Sequence, residues 1–173
     1  LVLGGSLGAG SINNCLLENT TAMLAAGCQW IWQTGKNSYE KVSEAVKKLN
    51  TVKISVRGFI DRMDLAFAAA DIIISRAGAG TISELCLVGK PVILVPSPNV
   101  AEDHQTKNAL ALVKRDAALM IPDSKIGKAL IIEAIKLVAD SDRRKKYSVN
   151  ISAMAERDAD KRIAEQVFKL TGR

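Results

Sequence analysis

Residues that could bind a phosphate group or a sugar are concentrated in loops that follow short apolar runs. The first such loop is Gly4-Gly5-Ser6-Leu7-Gly8-Ala9-Gly10, which precedes a helix that we expect to begin near Ser11. Glycines allow backbone N–H groups to approach a phosphate at the positive end of a helix. The loop is typical of a phosphate site, and a tight turn without a ligand accounts for the glycines equally well.

The second loop, over residues 75–84, precedes a helix that we expect to end at Gly89. Two interpretations of its polar residues remain open. Thr81 and Glu84 have the spacing of a capping box, in which both side chains serve only the helix end. Alternatively, Glu84 accepts hydrogen bonds from a pair of sugar hydroxyls while the backbone amides of Ala79, Gly80 and Thr81 contact a diphosphate.

The third loop begins at Pro96 and continues into another helix. Two prolines, Pro96 and Pro98, delay that helix, so His104 and Gln105 are predicted in its first turn. His104 is the only histidine, which excludes a histidine-rich metal site and leaves either a structural or a ligand-binding role. The amide group of Gln105 is suited to hydrogen bonds with sugar hydroxyls.

The segment that follows the third apolar run contains two large apolar side chains, Phe59 and Met63, four residues apart. They could form the apolar slot for a nucleotide base, or they could belong to the hydrophobic core.

Apolar runs alternate with amphipathic stretches along the chain, which predicts an α/β fold. The runs are rich in Val and Ile, as in strands buried on both faces of a parallel sheet; they cover 1–3, 30–33, 52–56, 71–74, 92–95 and 117–121. We expect a doubly wound, Rossmann-like parallel sheet of about six strands with helices on both faces. Ligands of such sheets bind at the carboxyl ends of the strands, where the loops described above begin.

Helix limits can also be predicted. A helix face formed by Tyr39, Val42, Val46 and Leu49 is introduced by Asn37, and Gly27 and Gly89 are placed where helices should end. After Pro122 we expect helices over 125–139, 141–156 and 158–170.

Length and composition favour a single domain covering residues 1–173. The 173 residues are 48% hydrophobic, enough for one sizeable core, and their net charge of +6 suits a polyanionic partner. Aromatic residues make up only 4% of the chain, and no recognition-helix motif is present, so we do not expect a nucleic-acid binder. Three cysteines, Cys15, Cys28 and Cys86, lie in apolar stretches and are predicted to be buried, reduced thiols.

Cofactor and metal sites are not predicted. The glycine spacing differs from the dinucleotide fingerprint, and the second strand ends in Gln33-Thr34-Gly35 without an acidic residue for a ribose. This disfavours a dinucleotide-binding oxidoreductase domain. Asp140-Ser141-Asp142 stands at a helix start, where helix capping is its ordinary role.

These segments together resemble the carboxyl-terminal domain of the undecaprenyldiphospho-muramoylpentapeptide N-acetylglucosaminyltransferases, a GT-B family that makes lipid II. The resemblance rests on the three loops, on Gly58-Phe59-Ile60-Asp61-Arg62-Met63, and on Gly89-Lys90-Pro91, in the same order. It implies that UDP-N-acetylglucosamine lies across the strand ends. The implied contacts are Phe59, the Ile60 backbone and Met63 for uracil, Glu84 for ribose, Ser6 and the amides of Ala79, Gly80 and Thr81 for the diphosphate, and His104 and Gln105 for the sugar.

The implied reaction is inverting transfer of N-acetylglucosamine to lipid I on the cytoplasmic face of the bacterial membrane, with peripheral contact to anionic lipid. The acceptor, lipid I, and the membrane surface are assigned by the resemblance to an amino-terminal domain that precedes Leu1. We therefore expect a chain that binds the donor, contains no catalytic residue and is inactive alone. Alternatives are the donor domain of a diacylglycerol glycosyltransferase or of a UDP-N-acetylglucosamine epimerase.

Overall fold

The structure is a computed structural model that describes residues 1–5 and 8–171. Its strands are β1 (Val2–Leu3), β2 (Trp30–Gln33), β3 (Ile54–Arg57), β4 (Ile73–Ser75), β5 (Val92–Leu94) and β6 (Leu119–Met120). Its helices are α1 (Gly10–Glu18), α2 (Thr20–Ala25), α3 (Lys36–Lys47), α4 (Met63–Ala69), α5 (Ala79–Val88), α6 (His104–Val113), α7 (Gly127–Ala139), α8 (Ser141–Ser152) and α9 (Ala159–Thr171). Short 3-10 turns at Ala101–Asp103 and Asp123–Lys125 precede α6 and α7.

The strands form one parallel sheet in the order β3-β2-β1-β4-β5-β6. The central strand β1 therefore has β2 on one side and β4 on the other. Strands β2 and β3 are added on one side of β1 and strands β4 to β6 on the other, so the order of strands reverses at β1. This order confirms the predicted doubly wound fold. Since the strands are parallel, the loops after Leu3, Gln33, Arg57, Ser75, Leu94 and Met120 begin along the same edge of the sheet, which we call the carboxyl edge.

Alternate residues of the strands contribute to separate cores on the two faces of the sheet. Val2 and Ile74 pack in the core that includes α1, α3 and α7, whereas Leu3 and Ile73 pack in the core that includes α4, α5, α6 and α8. Helices therefore cover both faces, as predicted. By contrast, α9 has no buried residue, and its Ile163, Val167, Phe168 and Leu170 are exposed.

Several predicted helix limits agree with the structure, but α7 begins at Gly127 rather than at 125, and α8 ends at Ser152 rather than at 156. Gly89 ends α5 in a left-handed conformation, φ 69°, and Gly27 follows α2 with φ 68°. The helix expected to be introduced by Asn37 begins at Lys36 with Gly35 as its cap, so Asn37 lies inside the first turn. Val42 and Val46 are buried as expected, but Tyr39 and Leu49 are exposed, and the apolar face is shorter than the spacing predicts.

Asp140 caps α8, because its side chain accepts a hydrogen bond from the backbone N–H of Arg143 at 2.9 Å. The cysteines are free thiols; Cys15 and Cys86 are buried, and Cys28 is partly exposed, contrary to the expectation for that residue. No helix in residues 1–5 and 8–171 has both the length and the apolar character needed to cross a membrane.

Candidate functional site

The amino termini of α1 and α5 lie at the carboxyl edge, and their caps have no side-chain acceptor. Ala9 caps α1 and Gly78 caps α5, and neither residue can supply a capping oxygen from its side chain. The first amides of a helix have no partner within the helix and bear a partial positive charge. Neither first turn contains an acidic residue. The two helix starts are therefore suited to an anionic group.

The structure excludes the capping-box interpretation of the second loop. Helix α5 begins at Ala79, so Thr81 is the third residue of the helix and cannot be its cap. Glu84 lies in the second turn with an exposed side chain. The amides of Ala79, Gly80 and Thr81 are the first three of α5, while the amide of Ile82 already bonds to the Gly78 carbonyl at 2.9 Å. The alternative role of Glu84, a contact with ligand hydroxyls, stays a prediction.

Two residues of the glycine loop, Gly4 and Gly8, pack against neighbouring backbone. Gly8 has φ +87°, and a Cβ atom there would lie 2.4 Å from the Thr34 carbonyl oxygen. A Cβ atom on Gly4 would lie 3.1 Å from the Gln33 carbonyl oxygen, and the Gly4 N–H donates to that same oxygen at 3.0 Å. The loop after β1 is thus held against the end of β2. Ser6, predicted as a diphosphate contact, lies outside the described residues.

The residues predicted to hold a base and a ribose are distributed over two neighbouring cavities. Phe59 and Ile60 line one cavity of about 420 Å³, and Phe59 is 50% exposed there. Met63 and Glu84 line a second cavity of about 420 Å³ between α4 and α5. The structure therefore brings Met63 and Glu84 together. Phe59 belongs to the loop before α4, and Met63 is the first residue of α4.

Gln105 and His104 lie in the first turn of α6, as predicted, after two residues with unusual backbone conformation. Glu102 and Asp103 have φ of 53° and 52°, a region that non-glycine residues adopt at a cost of about 1–2 kcal/mol each. The His104 side chain is exposed.

Gln105 has a structural role that was not predicted from the sequence: its side chain connects the loops that follow β4 and β5. Its Oε1 accepts hydrogen bonds from the backbone N–H groups of Ala77, at 3.2 Å, and Ser97, at 2.9 Å. Asn108 Nδ2 donates to the Ala77 carbonyl at 3.1 Å. The backbone N–H and the carbonyl of Ala77 are thus both hydrogen-bonded to side chains of α6. The acceptor oxygen of Gln105 is engaged within the protein, so Nε2 is the end of this amide that can face a sugar.

Arg76 connects several loops of the carboxyl edge. Its guanidinium donates to the carbonyls of Val95 and Pro96, to Asp123 Oδ1 at 2.5 Å, and to Ser11 Oγ at 2.8 Å. Ser11 Oγ also donates to Asp123 Oδ1 at 2.6 Å. The Arg76 and Asp123 side chains are only 19% and 16% exposed. Because Asp123 neutralises it, Arg76 fixes loop positions and adds no net positive charge to the edge.

Other candidate sites are not supported among the described residues. No group of three or more His, Cys, Asp or Glu side chains in that part of the chain could hold a metal ion. A cavity of about 390 Å³ at the amino ends of β2 and β4 is lined by residues that include Trp30 and Ile72. None of the predicted site residues lines it.

Comparisons with known proteins agree with this architecture. The sequence profile of the glycosyltransferase family 28 C-terminal domain matches residues 1–167. Two similar relatives are UDP-N-acetylglucosamine–N-acetylmuramyl-(pentapeptide) pyrophosphoryl-undecaprenol N-acetylglucosamine transferases. The one from Parabacteroides distasonis is 51% identical over 170 residues, and the one from Phocaeicola vulgatus is 52% identical over 171 residues. Each alignment covers 98% of this chain, and the chain spans only 46% of either relative.

Solved structures show the same fold. The crystal structure of Acinetobacter baumannii MurG superposes with a TM-score of 0.80 at 25% identity, over 97% of this chain and 48% of that one. A UDP-N-acetylglucosamine 2-epimerase superposes with a TM-score of 0.61 at 18% identity, over 94% of this chain and 41% of that one, a likeness of fold alone. The chain therefore belongs to the glycosyltransferase family 28 C-terminal domain family and has the architecture of a GT-B carboxyl-terminal domain.

Proposed function

We propose that this chain is the donor-binding half of an inverting glycosyltransferase that transfers N-acetylglucosamine from UDP-N-acetylglucosamine to lipid I, forming lipid II. The observation that carries the proposal is the exposed Glu84 in the second turn of α5, beside a helix start with no acidic residue in its first turn. That arrangement offers partial positive charge to a diphosphate and a carboxylate to neighbouring hydroxyls. The names of the relatives support the choice of donor and acceptor.

In this proposal each part of the ligand has its own contacts. The uracil lies against Phe59, Ile60 and Met63, and the ribose hydroxyls donate to Glu84. The sugar lies toward His104 and Gln105, where Gln105 Nε2 is the available donor. The diphosphate is held by Ser6 and by the first amides of α5, contributed by Ala79, Gly80 and Thr81.

The chain contributes leaving-group stabilisation to the reaction. As the glycosidic bond to UDP breaks, negative charge develops on the diphosphate, and preorganised backbone amides stabilise it without reorganisation. The base that activates the acceptor hydroxyl, and the surface that holds lipid I, are proposed to lie in the part of the longer relatives that this chain does not span. We therefore expect donor binding without turnover.

Ligand-observed NMR of the 173-residue chain with UDP-N-acetylglucosamine, UDP-glucose, UDP and NAD tests the proposal. We expect the uridine ligands to bind, with a preference for the N-acetyl sugar, and NAD not to bind. Glu84→Ala should weaken UDP binding about tenfold without changing the unfolding midpoint, because the side chain is exposed. Glu44→Ala, which removes an exposed acid in the third turn of α3, is the matched control and should leave binding unchanged.

Each other result has a definite meaning. Binding of NAD in preference to UDP would replace the proposal with a dinucleotide-binding domain. A clear preference for UDP-glucose would favour a diacylglycerol glycosyltransferase, and product formation from UDP-N-acetylglucosamine without an acceptor would favour an epimerase. Turnover of a lipid I analogue by this chain alone would contradict the proposal that the catalytic base and the lipid I surface lie outside this chain.

Peripheral contact with an anionic membrane is a further part of the proposal. It is supported by the net charge of +6, which attracts an anionic lipid surface. Co-sedimentation with vesicles should require anionic lipid and should weaken as salt is raised. Equal recovery with neutral vesicles would contradict it.

A further inference from the structure

Gln33 is a buried polar side chain that contacts the loop of the proposed base site. It is the last residue of β2 and only 3% exposed. The register places it between Leu3 of β1 and Arg57 of β3 at the carboxyl edge. Its backbone carbonyl accepts the hydrogen bond from the Gly4 N–H. Gln33 is therefore the point where the loop after β1 meets the strand that leads to the base site.

The side chain of Gln33 acts on the loop after β3. The backbone N–H of Ile60 donates to Gln33 Oε1 at 3.0 Å. Because the partner is a donor, the atom facing it must be the amide oxygen, which fixes the orientation of the whole amide group. In contrast, Gln33 Nε2 donates no hydrogen bond to any described residue.

This hydrogen bond has a positional consequence. The peptide group is planar, so holding the Ile60 N–H fixes the Phe59–Ile60 peptide plane. Phe59 and Ile60 together line the cavity assigned to the base. A buried glutamine in a core face is costly unless its polar atoms are used, so a role limited to filling space would be served better by an apolar residue.

We propose that Gln33 is a positioning residue for base recognition. By accepting a hydrogen bond from the Ile60 N–H, it fixes the backbone of Phe59 and Ile60, and this fixed backbone distinguishes uracil from cytosine. This inference rests on the proposed function, because it assumes that a pyrimidine nucleotide binds at Phe59 and Ile60. Uracil and cytosine present opposite hydrogen-bonding groups along one edge. A fixed backbone edge can discriminate between them, whereas a mobile edge can adapt to both.

The test is UDP and CDP binding to the full chain and its variants, together with hydrogen exchange of the Ile60 amide by NMR. Gln33→Met keeps a similar shape and removes the acceptor. We expect UDP affinity to fall about tenfold, the UDP-to-CDP ratio to fall toward one, and exchange of the Ile60 amide to accelerate at least tenfold. Gln29→Met is the matched control, because Gln29 is an exposed glutamine at the amino end of the same strand, and it should change none of these readouts.

A second variant separates the two ends of the amide. Gln33→Glu keeps an oxygen for the Ile60 N–H and loses the nitrogen, so it should retain slow exchange at Ile60 and most of the base selectivity. If slow exchange persists and selectivity is lost, the nitrogen is itself the binding group and the positioning role is overturned. An unchanged UDP-to-CDP ratio in Gln33→Met also overturns it.

The inference can fail separately from the proposed function. If the wild-type chain binds neither UDP nor UDP-N-acetylglucosamine, the proposed function fails first. If it binds UDP but exchanges the Ile60 amide at the rate of an unprotected peptide before ligand is added, only the role of Gln33 fails. That measurement needs no variant and therefore does not depend on the variants folding.

Discussion

The two halves of the carboxyl edge are held in different ways. The loops after β1 and β2 are held largely by close backbone approach, which is possible because Gly4 and Gly8 have no side chain. The loops after β4, β5 and β6 are held by long polar side chains, chiefly Arg76 and Gln105, which each contact several backbone or side-chain groups. The loops after β1 and β2 therefore require glycines, whereas the loops after β4, β5 and β6 require long polar side chains.

This difference explains what each half tolerates. Backbone packing fails abruptly, since any Cβ atom at Gly8 meets a carbonyl oxygen. In a network of side chains, by contrast, the loss of stability is proportional to the number of hydrogen bonds that a substitution removes. The two halves should therefore be distinguished by the substitutions that disrupt them.

The largest effect is expected from Arg76→Met. The substitution leaves the carboxylate of Asp123, which is 16% exposed, without its charged partner and removes the donors to the Val95 and Pro96 carbonyls. We expect the free energy of unfolding in urea to fall by about 3 kcal/mol. Arg62→Met is the matched control, since its pair with Asp64 is 69% and 61% exposed, and it should cost less than about 1 kcal/mol. Equal losses in the two variants would show that the Arg76 network does not brace the edge.

A somewhat smaller loss is expected from Gly8→Ala. The added Cβ atom would lie 2.4 Å from the Thr34 carbonyl oxygen, and the residue has φ +87°. Strain and backbone displacement should together lower the unfolding free energy by about 2–3 kcal/mol. Gly10→Ala adds a methyl group with no atom within 4 Å in the same loop region and should be neutral or stabilising in the same urea titration. A neutral Gly8→Ala would contradict the close backbone approach.

Gln105→Ala is expected to have an intermediate effect. It leaves the N–H groups of Ala77 and Ser97 without their acceptor, which should lower the unfolding free energy by about 2 kcal/mol. Gln105→Glu retains an oxygen at the same position and should lose less. If the two variants are equally unstable in urea, the acceptor oxygen is not what stabilises this half.

The smallest effect concerns the connection between α1 and α7. Burial raises the pKa of the Cys15 thiol from 9.0 to about 11, and its Sγ donates to the Gly127 carbonyl at 2.9 Å. The unfolded chain loses this proton first as pH rises, so the contribution to stability is complete below pH 9 and is lost between about pH 9 and 11. The loss should total about 1 kcal/mol, measured as the difference between wild type and Cys15→Ser in urea titrations across that range. Parallel pH profiles for the two proteins would contradict the assignment.

The sequence was sufficient for the sheet. Apolar runs predicted the strands β1 to β6, whereas the glycine loop was predicted only as a phosphate site or a tight turn, and its packing against the Gln33 and Thr34 carbonyls was not predicted. The roles of Arg76 and Asp123 could not be predicted, because they arise from contacts between residues distant in the chain; Ser11 and Asp123, for example, are 112 positions apart. No local pattern distinguishes such an arginine from an exposed one.

The candidate site was predictable where it coincides with a helix start. Ala79, Gly80, Thr81, His104 and Gln105 lie in the first turns of α5 and α6, positions that glycine and proline spacing mark in the sequence. Gln33 was visible only as a residue lacking the carboxylate of a dinucleotide site. Its contact with Ile60 depends on how two neighbouring strands are aligned, which strand patterns alone do not specify.

The central position of β1 has a consequence for how the chain folds. Val2 pairs with Trp32 on one side and with Ile74 on the other, so β1 obtains its second neighbour only after β2, β3 and the helices between them have been synthesised. Pairing between such distant segments slows folding relative to helical proteins of similar size. Until β4 arrives, one side of β1 presents unpaired backbone groups and apolar side chains, the combination that promotes aggregation of partly folded chains. Synthesis as far as β4 is therefore the stage at which β1 becomes paired on both sides.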